Sequence, residues 1–146
     1  MDQPGAAALN RFVLDNSLTL SWYFEDERGP YSVATLRALD TGVAVVPALW
    51  PYEVANGLLM GERRGRITPT DTVRILGLLA ALPIRIDLTS HERARGEILT
   101  LARQERLPCY DAAYLEIAMR EGLPIATLDR QLREAAARVG VPEFQP

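Results

Sequence analysis

At 146 residues the chain is long enough for one domain with an ordinary buried core, and its 48% apolar and 24% charged residues fit a globular protein. A formal net charge of −3 argues against coating nucleic acid by bulk attraction, and no apolar stretch approaches the roughly 20 residues that span a bilayer. No basic leader opens the chain, and a single cysteine, Cys109, permits neither an internal disulfide nor a cysteine metal site, so a cytoplasmic protein is expected.

Residues 1–10 read as a flexible extension ahead of one domain over residues 11–146. Phe12-Val-Leu14 is apolar on both faces, as a buried parallel strand should be. Ser17 is expected to cap a short helix to about Phe24, and Glu25-Asp-Glu-Arg-Gly-Pro30 is a polar break. A helix over about Tyr31 to Leu39 ends at Thr41-Gly42, before a second buried strand, Val43-Ala-Val-Val46. Pro47 and Pro51 frame the entry to a third helix, which Gly65 stops after about Arg64. Val54, Leu58 and Leu59 are its expected inward positions. Thr68-Pro-Thr-Asp71 opens a fourth helix with Val73, Leu76, Leu79 and Ala80 on one face. Ile84-Arg-Ile86 alternates and is short, which suggests a strand near the sheet edge. Ser90 is expected to cap a long helix from about Glu92 to Arg106, broken by Leu107-Pro108. A helix from Asp111 to Glu121 follows, with Leu115, Ala118 and Met119 on its apolar face and Gly122 after it. Pro124-Ile-Ala-Thr127 is a strand, Arg130 to Val139 the last helix, and Gly140 to Phe144 a short terminal strand. Strands alternating with helices predict an α/β domain with a mainly parallel sheet of four to five strands.

Chemistry is narrowed by what is missing. All 16 basic residues are arginine, which excludes a Walker A phosphate loop and Schiff-base catalysis. The lone histidine, His91, has no Gly-x-Ser-x-Gly elbow to serve, and no Gly-x-Gly-x-x-Gly appears. Carboxylates remain. Asp15 and Asp129 each close an apolar run that reads as a strand, and Asp111 opens a helix. Glu53 lies beside Asn56 on one helix face, three residues away. In parallel α/β folds the strand ends converge on the ligand-binding edge. Carboxylates gathered there repel one another, so a divalent cation is expected among them, and hard oxygen donors suit Mg²⁺ or Mn²⁺.

Taken singly, each residue also has an ordinary role. Asp15 and Asp129 suit turns or N-caps, Asp111 suits the helix dipole, and Ser17 and Thr127 suit caps or strand ends. Arg63, Arg64 and Arg66 suit a solvated helix end. Trp22, Tyr23 and Phe24 suit the core or dimer contacts rather than base stacking, and Cys109 suits packing.

Four short segments, taken together and in order, outweigh those separate readings: Phe12-Val-Leu-Asp-Asn-Ser17, Tyr52-Glu-Val-Ala-Asn56, Tyr110-Asp-Ala-Ala-Tyr114 and Ala126-Thr-Leu-Asp129. With them the chain resembles the PIN-domain ribonucleases, and among these the VapC-like toxins of toxin–antitoxin pairs. The resemblance implies a three-layer α/β/α PIN-like domain. It implies Mg²⁺ or Mn²⁺ at Asp15, Glu53, Asp111 and Asp129, and metal-dependent hydrolysis of RNA that inhibits translation. Ser17 and Thr127 would hold ligands or water there, and Asn56 would orient Glu53. It also implies a homodimer, placed near Leu36 and Leu76, and a cognate antitoxin partner. Arg63, Arg64 and Arg130 are candidate RNA-phosphate contacts, and tRNA is a candidate substrate. The alternatives are a catalytically silent PIN-like interaction module, or a DNA nuclease or phosphatase on the same carboxylates.

Overall fold

A computed structural model of the chain describes residues 10–146, so the extension expected over residues 1–10 lies, apart from Asn10, outside the described residues. Four strands form one parallel sheet: β1 (Arg11–Leu14), β2 (Val43–Pro47), β3 (Ile84–Asp87) and β4 (Ile125–Ala126), in the order β3-β2-β1-β4. Every residue from Phe12 to Leu14 and from Ala44 to Pro47 is buried, which is why these runs carry no polar alternation. As its short alternating pattern predicts, β3 stands at the edge. The C-terminal segment adds a single parallel bridge rather than a strand, between Glu143 and Ile125, and the Phe144 ring stacks on Phe12 with centroids 3.9 Å apart.

The helices are α1 (Asn16–Ser21), α2 (Pro30–Ala38), α3 (Trp50–Arg63), α4 (Pro69–Ala80), α5 (Leu99–Glu105), α6 (Cys109–Glu121) and α7 (Arg130–Arg138). Right-handed crossovers from β1 to β2 and from β2 to β3 put α1–α4 on one face. The return from β3 to β4 runs in the opposite direction, so α5 and α6 cover the other face. There α6 lies against β1, β2 and β4 and is flanked by α5 and α7. Crossovers on the two sides of β1 depart in opposite directions, and the crevice between the ends of β1 and β4 is therefore the switch point of the sheet.

Several local expectations shift. Helix α1 begins at Asn16 with Asp15 in the cap position, so Ser17 is inside the helix and caps nothing. On α4 the buried stripe is Ile75 and Leu79, an i,i+4 pair, while Val73, Leu76 and Ala80 face outward. Leu59 and Met119 are likewise exposed. The run from Ser90 is not one long helix. It is a 3₁₀ turn over Ser90–Arg93, a wide π turn over Ala94–Ile98 and then α5, which ends where Arg106 turns left-handed at φ 56°. Ser90 does not cap it: the buried hydroxyl accepts from the Ala48 amide at 3.2 Å and donates to the Asp87 carbonyl at 3.4 Å.

The turn into β2 is sterically tight. A Cβ at Gly42 would lie 2.5 Å from the carbonyl oxygen of Asn10 and 3.0 Å from that of Ala38, both backbone atoms. The Asn10 carbonyl also accepts the Val43 amide at 2.9 Å, the bond that opens the β1–β2 register. Gly42→Ala is therefore expected to destabilise the fold by about 1–3 kcal/mol, the usual cost of overpacking. Urea unfolding checks this, and a stability equal to that of the parent would contradict the tight approach.

Candidate active site

The crevice at the switch point gathers the acidic residues from four separate segments. Asp15 follows β1 and Asp129 follows β4, and the two segments are held together where the Asp15 amide donates to the Ala126 carbonyl at 3.0 Å. Asp111 lies in the first turn of α6 and Glu53 in the first turn of α3. Both helices start at the same edge because β2 and the α5–α6 break deliver the chain there.

Asp15 is 5% exposed. Two hydroxyls converge on its Oδ2: Ser17 Oγ donates at 2.6 Å and Thr127 Oγ1 at 2.8 Å. Each hydroxyl in turn accepts a backbone amide of the β4 exit, Ser17 from Leu128 at 3.1 Å and Thr127 from Asp129 at 2.9 Å. Ser17 and Thr127 thus stitch the two strand exits together through one carboxylate oxygen. Asp129 has a structural role as well, since its Oδ1 caps α7 by accepting the Leu132 amide at 3.0 Å.

Glu53 is oriented by a residue that the sequence pattern does not single out. Tyr114, wholly buried, donates its hydroxyl to Glu53 Oε1 at 2.6 Å. Asn56 is exposed, and among the described residues no hydrogen bond joins it to Glu53. Glu53 turns toward α6, away from the rim where Asn56 stands. Tyr114 is three residues after Asp111 and so on the same helical face, a spacing that is visible in the sequence.

The electrostatics show that the four carboxylates form one group. Burial raises the pKa of Asp15 against the pull of the Ser17 and Thr127 hydroxyls, and the Asp129 charge raises it further. Burial pushes Glu53 up to about 7; the Tyr114 bond opposes this, and the charges of Asp15 and Asp111 add to it. Asp111 is pushed up to about 6 by burial, then by Asp15 and Asp129. Tyr114 is also shifted upward, by burial first and then by the Glu53 and Asp15 charges. No arginine forms a salt bridge with any of the four among the described residues.

Among the described residues, no three acidic, histidine or cysteine side chains close into a ready-made cation cage. The donor chemistry nevertheless fits a hard divalent ion: carboxylate oxygens that repel one another, with no cation among the described residues paired to offset them. Next to Asp15, the buried Oδ1 of Asn16 has no hydrogen-bond partner among the described residues, a further oxygen donor at the same edge.

The candidate phosphate contacts stand outside this group. Arg63 and Arg64 are exposed at the end of α3. Arg130 is exposed and bonds Glu134 at 2.9 Å, a surface pair of the kind worth little. Arg66 is engaged elsewhere, bonded to Asp26 and seated 4.2 Å over the Phe24 ring. Trp22 and Phe24 belong to the core as expected, whereas Cys109 is exposed rather than part of the core packing.

A parallel α/β sheet with acidic residues at its switch point defines a class, and comparison with known proteins gives it a name. A model of the PIN domain matches residues 12–138. Ribonuclease VapC3 of Pyrobaculum aerophilum is 30% identical over 125 residues, covering 85% of this chain and 93% of that protein. The crystal structure of PAE2754 from Pyrobaculum aerophilum shares the fold, with a TM-score of 0.64 at 21% identity over 89% of this chain and 87% of that one. The chain belongs to the PIN-domain family, among its VapC-like members.

Two outcomes follow from this electrostatic arrangement. Folded Glu53 and Asp111 hold protons at a pH where the unfolded chain, with carboxyl pKa values near 4, has released them. Without divalent ions, stability should therefore fall as pH rises from about 4 through about 7, and thermal melts at pH 5 and pH 8 in EDTA check the sign. Tyr114→Phe keeps the ring but removes the donor, so the Glu53 carboxyl should titrate still higher than about 7 by carbon NMR. A lower value would show that the hydroxyl does not support the carboxylate.

Proposed function

We propose that this chain is a metal-dependent endoribonuclease, a VapC-type toxin that hydrolyses RNA phosphodiester bonds and so inhibits translation. The observation that carries the reading is the group of four carboxylates, each from a different sheet-edge segment, coupled in charge and paired with no arginine among the described residues. The relative named Ribonuclease VapC3 supports RNA as the substrate. The catalytic unit is taken to span residues 11–146, and the protein to be cytoplasmic.

In this reading Asp15, Asp129, Asp111 and Glu53 hold Mg²⁺ or Mn²⁺. When bound, such an ion lowers the pKa of a coordinated water and offsets charge on the reacting phosphate. Ser17 and Thr127 favour the ionised form of Asp15 against its burial by donating to Oδ2, and Tyr114 does the same for Glu53 from the opposite side. Their bonds also fix the direction in which each carboxylate points. Asp111, in the first turn of α6, gains from the positive end of that helix. Arg63, Arg64 and Arg130 are available to bind flanking phosphates, since the Arg130–Glu134 pair costs little to exchange. Unpaired loops, including those of tRNA, suit a narrow edge cleft because their bases are splayed and their backbone bends.

A homodimer and a cognate antitoxin complete the proposal. Val73 and Leu76, three apart and so on one side of α4, stand exposed and give an apolar face for association.

The test is cleavage of a total RNA pool by the purified protein with Mg²⁺, Mn²⁺ or EDTA, the ends mapped by sequencing. Cleavage is expected with either ion and not with EDTA. Asp111→Asn should lower the rate about a hundredfold or more, the scale of losing one preorganised charge. Calorimetry should show weaker Mn²⁺ binding, and the metal-free variant should melt no lower than the parent. Metal-dependent cutting of DNA in preference to RNA would move the function to the nuclease alternative, and no cleavage at all would favour the interaction module.

A further inference from the structure

A cavity of about 390 Å³ opens beside the carboxylates and is not used by the chemistry above. Leu49, Ile98 and Ala113 are among the apolar residues that wall it, while His91, Cys109 and Tyr110 stand exposed around it. Two of its walls come from the same helices that carry the acidic residues. Tyr110 immediately precedes Asp111 on α6, and Leu49 lies one turn before Glu53, whose amide donates to the Leu49 carbonyl at 3.1 Å. Cys109 and Ala113 are four apart on α6 and so share the face turned to this cavity, adjacent to the face of Asp111 and Tyr114. Two of its lining residues, Ala48 and Ser90, are joined, the Ser90 hydroxyl tying the Ala48 amide to the end of β3.

Among the described residues, the lining contains no carboxylate and no arginine. A phosphate finds no arginine there to grip it, and a basic peptide tail finds no carboxylate. An uncharged planar ring, by contrast, meets apolar walls and two exposed aromatic side chains on which to stack, in a volume within the roughly 300–1,000 Å³ of small-ligand sites. Sequence-dependent contact with unpaired RNA works in this way, by stacking splayed bases on aromatic side chains.

We propose that this cavity is a base subsite: it takes one unpaired nucleobase of the RNA next to the bond being cut, and thereby sets the sequence preference of cleavage. The assignment rests on the ribonuclease reading of the carboxylates. Its position at the starts of α6 and α3 sets the two sites side by side, with the reacting phosphate at Asp111 and Glu53 and the base beyond Tyr110.

Cys109 is the only cysteine of the chain and is exposed, which makes it a native probe. Alkylation of Cys109 by iodoacetamide can be followed by intact mass in the Asp111→Asn protein with Mn²⁺. The four homopolymeric pentaribonucleotides and an abasic ribose-phosphate pentamer serve as competitors. At least one base should slow alkylation about threefold or more, and the abasic chain should not. No slowing by any base, or equal slowing by the abasic chain, would overturn the subsite. So would protection by a co-expressed antitoxin with none by RNA, which would make the cavity a protein contact. In parallel, Ala94→Phe fills the cavity from an exposed position. On a random RNA pool it should alter the base preference at one position beside the cut and lower kcat/KM for the preferred sequence about tenfold, with Mn²⁺ binding unchanged. An identical map of ends overturns the subsite while leaving the ribonuclease reading intact. If the parent protein cleaves nothing, that reading falls, and the alkylation experiment still decides what the cavity binds.

Discussion

Asp15 is a carboxylate buried at the end of a central strand with no salt-bridging cation among the described residues, and the surrounding architecture is organised around that cost. Transferring an ionised carboxylate out of water is expensive unless hydrogen bonds or an opposite charge offset it. Here only part of the offset is built in. Ser17 and Thr127 give Oδ2 two short donors, and the same two hydroxyls take amides from the β4 exit, so the polar network that tolerates Asp15 also fixes the edge of the sheet. The remaining cost appears as the upward pKa shifts of Asp15, Glu53 and Asp111. Those shifts describe carboxylates that hold protons more readily than free ones do.

The arginines sharpen this point. The chain has sixteen basic residues, all arginine, enough to neutralise the cluster many times over, yet they are committed elsewhere or face solvent. Arg120 bonds Glu116 at 2.9 Å and also reaches Asp87. Burial pushes the Asp87 carboxyl up, but Arg120 and the Thr89 amide and hydroxyl outweigh it, and its pKa falls below the ordinary value. Arg85 pairs with Glu121, and Arg138 with Glu105. Arg133 donates to the Thr127 carbonyl at 3.0 Å, close to the site, but its ion pair is with Glu143. One buried acid, Asp87, is thus stabilised by an arginine in the usual way, while the four at the switch point are not. The contrast lies within one molecule, so it does not reflect a shortage of cations.

The parallel character of the sheet and the edge position of β3 were legible because strand burial dictates composition: a strand covered on both faces must be apolar throughout, and an edge strand need not be. The four carboxylates were legible for a related reason, each being a charged residue where an apolar run stops. What escaped the sequence was direction. Val73, Leu76, Leu79 and Ala80 satisfy helical spacing as well as Ile75 and Leu79 do, and only the position of the neighbouring elements chooses between the stripes. Asn56 and Tyr114 show the same limit. Both stand within reach of the carboxylates by helical spacing, but Glu53 turns inward to a hydroxyl on α6, a contact between residues 61 positions apart that periodicity does not encode. The split of the expected long helix into 3₁₀, π and α turns follows from tertiary demands too. Ser90 is drawn to the Ala48 amide, and Leu107 is buried with its amide on Ala102 at 3.0 Å.

Helix α6 carries these arrangements at once, and that has a mechanical consequence. Its first turn presents Asp111 to the site and Cys109 to the neighbouring cavity. Its middle contributes Tyr114, Leu115 and Ile117, all wholly buried. Its last turns anchor Glu116, Arg120 and Glu121 in the ion-pair network that reaches β3 through Asp87 and Arg85. A helix packed along its length against β1, β2 and β4 has little freedom to slide or rotate without breaking core contacts or the network at its far end. The direction of Asp111 and the Tyr114 bond to Glu53 are therefore set by packing and pairing well away from the carboxylates. Rigidity of this kind keeps like charges together where no arginine among the described residues is paired with them, because separating them by local rotation would break buried contacts.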